Sequence, residues 1–336
     1  MARIKLEVAS ETLRLKAPFR ISGHVFETSE VVVVTLRDGE LVGRGEGCGV
    51  YYLGDDVAHM RTSIEAARGA IEEGLTREEL RSVMPPGGGR NAIDCALWEL
   101  EASREHKPAW ELAGEPVLKP LLTTFTIGAD TPDAMADGAR RYADARAIKV
   151  KLTGELPLDI ARIAAVRAAR PDIWLGVDGN QGFERRDLEP LVDALQAQDV
   201  KLLEQPLARG RESELEGFQS PVPIAGDESL LSLADIASAP GRFDVVNIKL
   251  DKCGGLTEGL LMAAEARRLG LKVMVGTMVG TSLSTAPALI LGQQCDIVDL
   301  DGPTFLARDR QPGVDYIGGL VSAAPEVWGS GKVLVR

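Results

Sequence analysis

Two lysines alternate with aliphatic residues in the stretch Ala147-Ile148-Lys149-Val150-Lys151-Leu152. Side chains two positions apart on a strand share a face, so in a strand Lys149 and Lys151 point the same way while the aliphatic residues pack behind them. Ammonium groups side by side lower one another's pKa, and removal from water lowers it further, which favours a lysine that acts as a base near neutral pH. The alternative is an edge strand that carries solubilising lysines.

Three acidic residues fall where successive apolar runs end. Asp178, Glu204 and Asp227 are separated by steps of 26 and 23 residues, the length of one strand-helix unit each. Successive parallel strands would bring three carboxylates to the face of a barrel where active sites lie. Such a set needs a cation, and oxygen ligands alone favour Mg²⁺. A single strand-end aspartate is often only a helix N-cap, but three in register favour the metal site.

Another lysine, Lys249, lies in the strand-like stretch Asn247-Ile248-Lys249-Leu250, four units after Lys151. In a ring of eight strands these two lysines face each other across the mouth. Lysines on opposite sides of a metal suit a reaction in which a proton leaves one face of a carbon and returns to the other. The metal would hold a substrate carboxylate and stabilise the enediolate. The alternative is that Lys249 only pairs with a metal-binding carboxylate.

The elements that must position these residues begin near residue 121. Strand-like runs are each followed by a turn and, in most cases, by a helical pattern; they span 122–127, 147–152, 173–177, 200–203, 222–225, 244–249, 272–276 and 296–300. This alternation predicts a parallel sheet, and eight units favour a (β/α)₈ barrel over an open sheet. The glycine fingerprint of a dinucleotide-binding fold is missing after the first strand, where Gly128 stands alone.

The first part of the chain predicts an α+β unit of roughly 115 residues. Strands are predicted over residues 3–15 and 30–47, the latter with a hairpin turn at Arg37-Asp38-Gly39, and a longer connection over 17–28. Helical spacing of apolar residues predicts a helix from Asp55 to about Arg81 and another from Asn91 to Ser103. Length alone also indicates either two domains or a large barrel with an addition.

Composition narrows the function. The net charge of −12 argues against nucleic acid or an anionic membrane surface as the main partner. No apolar run is long enough for a membrane span, and the N-terminus lacks a signal-peptide core, so we predict a cytoplasmic protein. We expect its partner to be a small-molecule substrate, and formation of a homo-oligomer is left open. The four cysteines form no CxxC pair, and His24, His59 and His106 all precede the barrel units. A histidine-based triad or zinc site among the later residues is therefore excluded.

Together, the lysines, the carboxylates and the residues around them resemble the muconate-lactonising subgroup of the enolase superfamily. The matching motifs are Lys149-Val150-Lys151, Asp178-Gly179-Asn180, Glu204-Gln205-Pro206, Gly226-Asp227-Glu228-Ser229, Asn247-Ile248-Lys249 and the helical stretch 91–98. The resemblance implies an N-terminal α+β capping domain (1–118), a (β/α)₇β TIM-type barrel (119–310) and a C-terminal segment (311–336) that returns to the cap. It also implies Mg²⁺ on the three carboxylates, an acid/base pair of Lys151 and Lys249, and a Lys149 that stabilises the substrate carboxylate and depresses the pKa of Lys151.

The eighth run ends in Asp299-Leu300-Asp301-Gly302-Pro303, with two carboxylates at strand spacing. Next to an anion-holding metal, such a pair suits a substrate that also carries an ammonium group. The motif resembles that of the dipeptide epimerases, where it binds the substrate's amino terminus, and Thr126 resembles a substrate contact there. Helix capping is the structural alternative. The resemblance implies an Mg²⁺-dependent dipeptide epimerase; the alternatives are an N-acyl amino acid racemase, a cycloisomerase or o-succinylbenzoate-forming lyase, and a non-catalytic small-molecule binder.

Substrate choice is expected to depend on two loops of the cap. His24 stands where glutamate-directed relatives carry an arginine, and Arg20 nearby is a candidate substitute. In the loop 51–56, Asp55 and Asp56 either select a cationic side chain or begin the following helix.

Overall fold

Three antiparallel strands form the first sheet of the protein, seen in a computed structural model that describes residues 4–332. They are β1 (Lys5–Ile21), β2 (His24–Asp38) and β3 (Leu41–Cys48), in that spatial order. The predicted hairpin between β2 and β3 is confirmed, with Gly39 at a φ of 60°. Residue 3, at the start of the predicted first strand, lies outside the described residues.

The longer connection predicted for 17–28 is wrong. Both strands continue to a tight turn at Ser22-Gly23, where Gly23 takes a φ of 70°. The pairing shifts between Arg14 and Phe19, and Pro18 lies in this irregular stretch of an edge strand, the place in a sheet where proline is tolerated. The hairpin therefore extends beyond the rest of the sheet.

Helices α1 (Val57–Glu73), α2 (Arg77–Val83) and α3 (Gly88–Glu105) follow. The single helix predicted up to Arg81 is two helices, because Gly74 ends α1 in the left-handed conformation and Thr76 forms a capping box with Glu79 at the start of α2.

Helix α3 lies directly on the backbone of β3. Gly43, Gly45 and Gly47 alternate along this strand, and a Cβ on any of them would approach a carbonyl oxygen of α3 to 2.0 Å. Only glycine fits at so close an approach. The contact sets the distance between the first sheet and the helix whose other face meets the barrel.

After α4 (Ala109–Leu112) and the short strand β4 (Leu121–Leu122), eight parallel strands follow within the described part of the chain. They are β5 (Thr124–Ile127), β6 (Ala147–Lys151), β7 (Trp174–Asp178), β8 (Leu202–Glu204), β9 (Ile224–Gly226), β10 (Val245–Lys249), β11 (Lys272–Gly276) and β12 (Ile297–Asp299). They pair in chain order, and β12 returns to β5, where Leu300 N donates to Thr123 Oγ1 at 2.9 Å. The predicted barrel is confirmed.

The connections between these strands are mostly helical. The α-helices are α5 (Pro132–Arg141), α6 (Leu156–Ala169), α7 (Leu188–Ala197), α8 (Leu250–Cys253), α9 (Leu256–Arg268) and α10 (Ser282–Gly292). The strands β8, β9 and β10 are joined instead through short 3₁₀ helices, Glu212–Leu215 and Leu233–Ser238. None of the described helices is long and apolar enough to cross a bilayer.

Strand register separates the barrel interior into two layers. Leu202, Ala225, Val245 and Met274 fill its lower part with apolar side chains. Above them, Lys151, Asp178 and Glu204 lie side by side in register on β6, β7 and β8. The polar residues are therefore gathered at the carboxyl ends of the strands, over a packed floor.

The segment after the barrel returns towards the first sheet. Strand β14 (Leu320–Ala323) pairs with β4 on one side and with β13 (Val314–Ile317) on the other. Trp328 Nε1 then donates to Arg44 O in β3 at 2.8 Å. Residues 333–336 of the predicted C-terminal segment lie outside the described residues, and the boundaries at 118 and 310 stay predictions.

Candidate active site

The three acidic residues predicted to bind a metal converge. Asp178 and Glu204 end β7 and β8, Asp227 follows β9, and one oxygen of each lies within 4.8 Å of the others. All three residues are buried, with exposed fractions of 0%, 0% and 1%. So many buried negative charges need cations nearby, and an all-oxygen set without histidine or cysteine fits Mg²⁺.

Each of the three predicted lysines pairs with one of these carboxylates. Lys151 Nζ donates to Asp178 Oδ2 at 2.5 Å, Lys149 Nζ to Glu204 Oε2 at 3.1 Å and Lys249 Nζ to Asp227 Oδ2 at 2.5 Å. Lys149 also donates to Asp299. The expectation that Lys149 and Lys151 share a face is confirmed, since both reach carboxylates in the barrel interior.

Neighbouring charges set the protonation of this cluster. Burial disfavours the charged form of Lys149, but the carboxylates of Asp299 and Glu204 outweigh it and hold its pKa above the ordinary value. The expected lowering by the neighbouring lysine is therefore wrong for Lys149, because opposite charges lie closer. The same balance raises the pKa of Lys249. Burial, together with the charge of Asp178, raises the pKa of Glu204 to about 7.

A cavity of about 250 Å³ lies over the cluster, and Lys151, Asp227 and Lys249 form part of its floor. The opposite wall comes from the first sheet and the short 3₁₀ helix Tyr51–Leu53; its rings and aliphatic chains are Phe19, Ile21, Phe26, Tyr51 and Tyr52. The hairpin of β1 and β2, predicted as a connection, thus forms one side of the site. The alternation of Phe19 with Ile21, and of Phe26 with Thr28, is the signal that could have revealed it as a strand pair.

Asp299, Asp301 and Thr126 meet at the seam between β12 and β5. Asp299 accepts hydrogen bonds from Lys149 and from Thr124, while Asp301 Oδ2 accepts from the backbone N–H of Thr126 at 2.6 Å. Burial and the charge of Asp299 raise the pKa of Asp301 to about 7. The two carboxylates share the barrel interior with Lys149, as the strand spacing predicts.

The two predicted specificity residues are placed differently. The ring of His24 is exposed, stacks against Tyr51 and is not among the residues that line the cavity. Asp55 lines the cavity, but its oxygens are engaged by Gly88 N at 2.9 Å and His59 Nδ1 at 2.7 Å. Asp56 accepts from His59 N and caps α1, which is the helix-start alternative.

Two further buried residues belong to the cluster. Lys252 donates to the carboxylate and the carbonyl oxygen of Asp227. Glu228 lines the cavity, and burial together with the charge of Asp227 raises its pKa to about 8. Neither role was predicted from the sequence. Glu228 lies within the motif Gly226-Asp227-Glu228-Ser229, which gives it no role of its own. The spacing of Lys252 from Lys249 is the signal that one helical turn would bring both to one carboxylate.

Comparison with known families agrees with this geometry. The model of the enolase C-terminal domain-like family matches residues 134–305, and that of the mandelate racemase / muconate lactonizing enzyme N-terminal domain matches residues 3–114. The chain belongs to the enolase superfamily. Both halves of the superfamily architecture, capping domain and barrel, are therefore present in this member.

Individual relatives cover nearly the whole chain. The L-Ala-D/L-Glu epimerase of Escherichia coli (strain K12) is 39% identical over 316 residues, which are 94% of this chain and 98% of that protein. The crystal structure of an enolase family member from Agrobacterium tumefaciens with homology to dipeptide epimerases, holding sodium and L-Ala-L-Glu, is 42% identical, with a TM-score of 0.92 over 97% of this chain and 100% of that one. A dipeptide epimerase from Methylococcus capsulatus, complexed with Mg and L-Arg-D-Lys, is 28% identical, with a TM-score of 0.90 over 96% and 97%.

Proposed function

We propose that this superfamily member is an Mg²⁺-dependent epimerase that inverts the α-carbon of a dipeptide. The observation that carries the proposal is the placement of Lys151 and Lys249. They end β6 and β10, four strands apart in the ring, and both line the cavity beside the carboxylate cluster. A substrate carbon between them has a lysine on each face.

The two lysines perform the proton transfer. One, in its neutral form, removes the α-hydrogen, and the other, as an ammonium group, delivers a proton to the opposite face, so the configuration inverts. In the reverse direction the roles exchange. Lys149 is proposed to hold its charge and bind the substrate carboxylate, since its pKa lies above the ordinary value because of the surrounding carboxylates.

Asp178, Glu204 and Asp227 are proposed to hold the Mg²⁺. Their carboxylates fit it by donor type, burial and convergence. When bound, Mg²⁺ supplies a Lewis acid that stabilises negative charge on the substrate carboxylate.

Asp299 and Asp301 are proposed to bind the free ammonium group of the dipeptide, with Thr126 as a further substrate contact. Both carboxylates are buried, at 5% exposure; Asp299 pairs with Lys149, and Asp301 accepts from Thr126 N. Lys149 is the cationic partner of Asp299, but Asp301 has no ion-pair partner among the described residues. The ammonium group of a dipeptide would supply one, and an N-acyl amino acid or an anionic lyase substrate brings none. His24 and Asp55 remain proposed specificity residues; the contacts of Asp55 with Gly88 and His59 favour a supporting role.

The division of labour along the chain is part of the proposal. Residues 1–118 form the capping domain that supplies the wall of the cavity, 119–310 form the barrel that carries the chemistry, and 311–336 tie the barrel to the cap. The two family models, which end at 114 and begin at 134, support the first boundary.

The proposal is tested by incubating the protein with Mg²⁺ in D₂O against dipeptides grouped by acidic, apolar and basic C-terminal residues, with N-acetyl amino acids as a separate set. We expect one deuterium to enter the α-position of one dipeptide group. In Lys151→Ala this incorporation should be lost for the diastereomer whose α-hydrogen faces residue 151, whereas Lys201→Ala, at an exposed lysine of the opposite barrel end, should leave it unchanged. Exchange confined to the N-acetyl set would contradict the dipeptide assignment in favour of the racemase. Bound Mg²⁺ with no exchange in either set would contradict it in favour of the lyase.

A further inference from the structure

Each carboxylate of the metal cluster has one oxygen held by a donor of the scaffold rather than by a lysine of the cavity. The three donors are a backbone N–H, a side-chain amide and a buried ammonium group. They are Asn180 N on Asp178 Oδ1 at 2.8 Å, Asn247 Nδ2 on Glu204 Oε1 at 2.7 Å, and Lys252 Nζ on Asp227 Oδ1.

The second oxygen of each carboxylate points to the other side. Lys151, Lys149 and Lys249 approach Asp178 Oδ2, Glu204 Oε2 and Asp227 Oδ2 respectively. In each carboxylate, therefore, one oxygen is bonded to a scaffold donor and the other to Lys149, Lys151 or Lys249.

Lys252 is fixed in place by its own contacts. Its side chain is fully buried, and its three N–H groups are used by Asp227 Oδ1, Asp227 O at 2.5 Å and Asn247 O at 3.0 Å. An ammonium group has three donors, so none is left to reach the cavity. Lys252 thus acts on the site through Asp227 and through the backbone of Asn247.

Asn247 is fixed in a similar way by its place in the barrel. It lies inside β10 with no exposed surface, and its Nδ2 donates to Glu204 while its Oδ1 has no hydrogen-bond partner among the described residues. An unpartnered buried oxygen is costly, so the hydrogen-bonding balance of Asn247 itself does not stabilise the protein. The donated bond to Glu204 is what it contributes.

We propose that Lys252 and Asn247 are positioning residues that hold Asp227 and Glu204 to one-oxygen coordination and thereby make the site select Mg²⁺ over Ca²⁺. Mg²⁺ requires compact octahedral coordination, whereas Ca²⁺ takes six to eight oxygens and accepts both oxygens of a carboxylate. The oxygen that faces Lys151, Lys149 or Lys249 becomes free when the cation displaces that ammonium group, whereas the oxygen held by a fixed scaffold donor stays engaged and is the poorer second ligand. This inference rests on the metal site of the proposed function and specifies how that site discriminates.

The test is isothermal titration of the folded protein with MgCl₂ and with CaCl₂, which gives the ratio of the two dissociation constants without any turnover. Asn247→Leu removes the donor to Glu204 with no change of charge, and Lys252→Met removes the donor to Asp227 together with a charge. In both variants we expect the preference for Mg²⁺ over Ca²⁺ to fall by about tenfold or more, the usual size of effects from partners of metal ligands. Met274→Leu, a volume-conserving change at the residue in register with Asn247, should leave it within about twofold.

A preference for Mg²⁺ that survives in a folded Asn247→Leu protein would overturn the inference. If Lys252→Met does not fold, Lys252→Gln, which is neutral and too short to reach the same three acceptors, takes its place with the same expectation. A wild-type protein without preference between the two ions would also overturn it. A protein that discriminates the ions but exchanges no deuterium would contradict the proposed function and leave this inference standing.

Discussion

Lys151 Nζ donates to Asp178 Oδ2 across 2.5 Å, between register-paired residues of β6 and β7. The proposed base therefore bonds to an oxygen of a residue that is proposed to bind the metal. A divalent cation and an ammonium group compete for such an oxygen, so metal binding and the state of the base are coupled.

Removal of the metal should therefore stop the reaction at its first step. After treatment with EDTA we expect α-hydrogen exchange in D₂O to fall to background, because Lys151 stays paired with Asp178 and the substrate carboxylate loses its counter-ion. Exchange is followed by mass spectrometry. Return of Mg²⁺ should restore it, and undiminished exchange in the chelated protein would rule out the metal-dependent mechanism.

The join between cap and barrel predicts a dependence of stability on pH. Asp251 lies in α8, two residues after Lys249. Its Oδ1 accepts from Cys48 N at 2.9 Å and from Asn91 Nδ2 at 2.7 Å, and both donors belong to the cap. Burial raises the pKa of Asp251 from 3.8 to about 7. The folded state thus holds its proton more tightly than the unfolded state, so this group's contribution to stability is full below 3.8 and is lost as the pH rises towards 7.

Asp251→Asn keeps the accepting oxygen but cannot ionise. The free energy of unfolding of the variant, relative to wild type, should therefore rise with pH between 4 and 7, by up to about 1.4 kcal/mol for each pH unit. Urea denaturation of both proteins at pH 5 and pH 7 measures the difference. An equal difference at the two pH values would show that Asp251 does not titrate in this range.

The contact between β3 and α3 predicts a sharp glycine requirement. In Gly45→Ala the new Cβ would lie 2.0 Å from Ala92 O, so strand and helix must separate, and we expect a loss of at least about 2 kcal/mol of stability. Gly69→Ala in α1 is the matched control, since a Cβ there meets nothing within 4 Å. It should stabilise the protein by about 0.5 to 1 kcal/mol, the difference in helix propensity.

Thermal unfolding of the two glycine variants gives the comparison. A Gly45→Ala protein as stable as wild type would mean that the helix does not lie on the strand backbone.

The barrel and its carboxylates could be predicted because they depend on chain periodicity. The end of each strand fixes which side chain faces the mouth, so Asp178, Glu204 and Asp227 follow from spacing alone. The lysine pKa values could not be predicted this way. The direction for Lys149 depends on Asp299, which is 150 residues away in sequence, and only the closed ring brings the two together.

The cap was harder to predict for a related reason. Pro18 and the glycine turn at Gly23 are typical of a loop, yet the hairpin β1–β2 continues through them because the barrel supports it. Ala129 N donates to Arg20 O at 2.9 Å, a contact that sequence periodicity cannot reveal. Tertiary contact here outweighs local preference.

The measurement that tests the central claim most directly is deuterium exchange of each dipeptide diastereomer, separately, by Lys151→Ala and by Lys249→Ala. If the two lysines act on opposite faces, each variant should exchange only the diastereomer whose α-hydrogen faces the remaining lysine. The rate of inversion should fall by about 10²- to 10⁴-fold in both variants. If both variants exchange the same diastereomer, or if either still inverts the substrate at the wild-type rate, the two-lysine account is wrong.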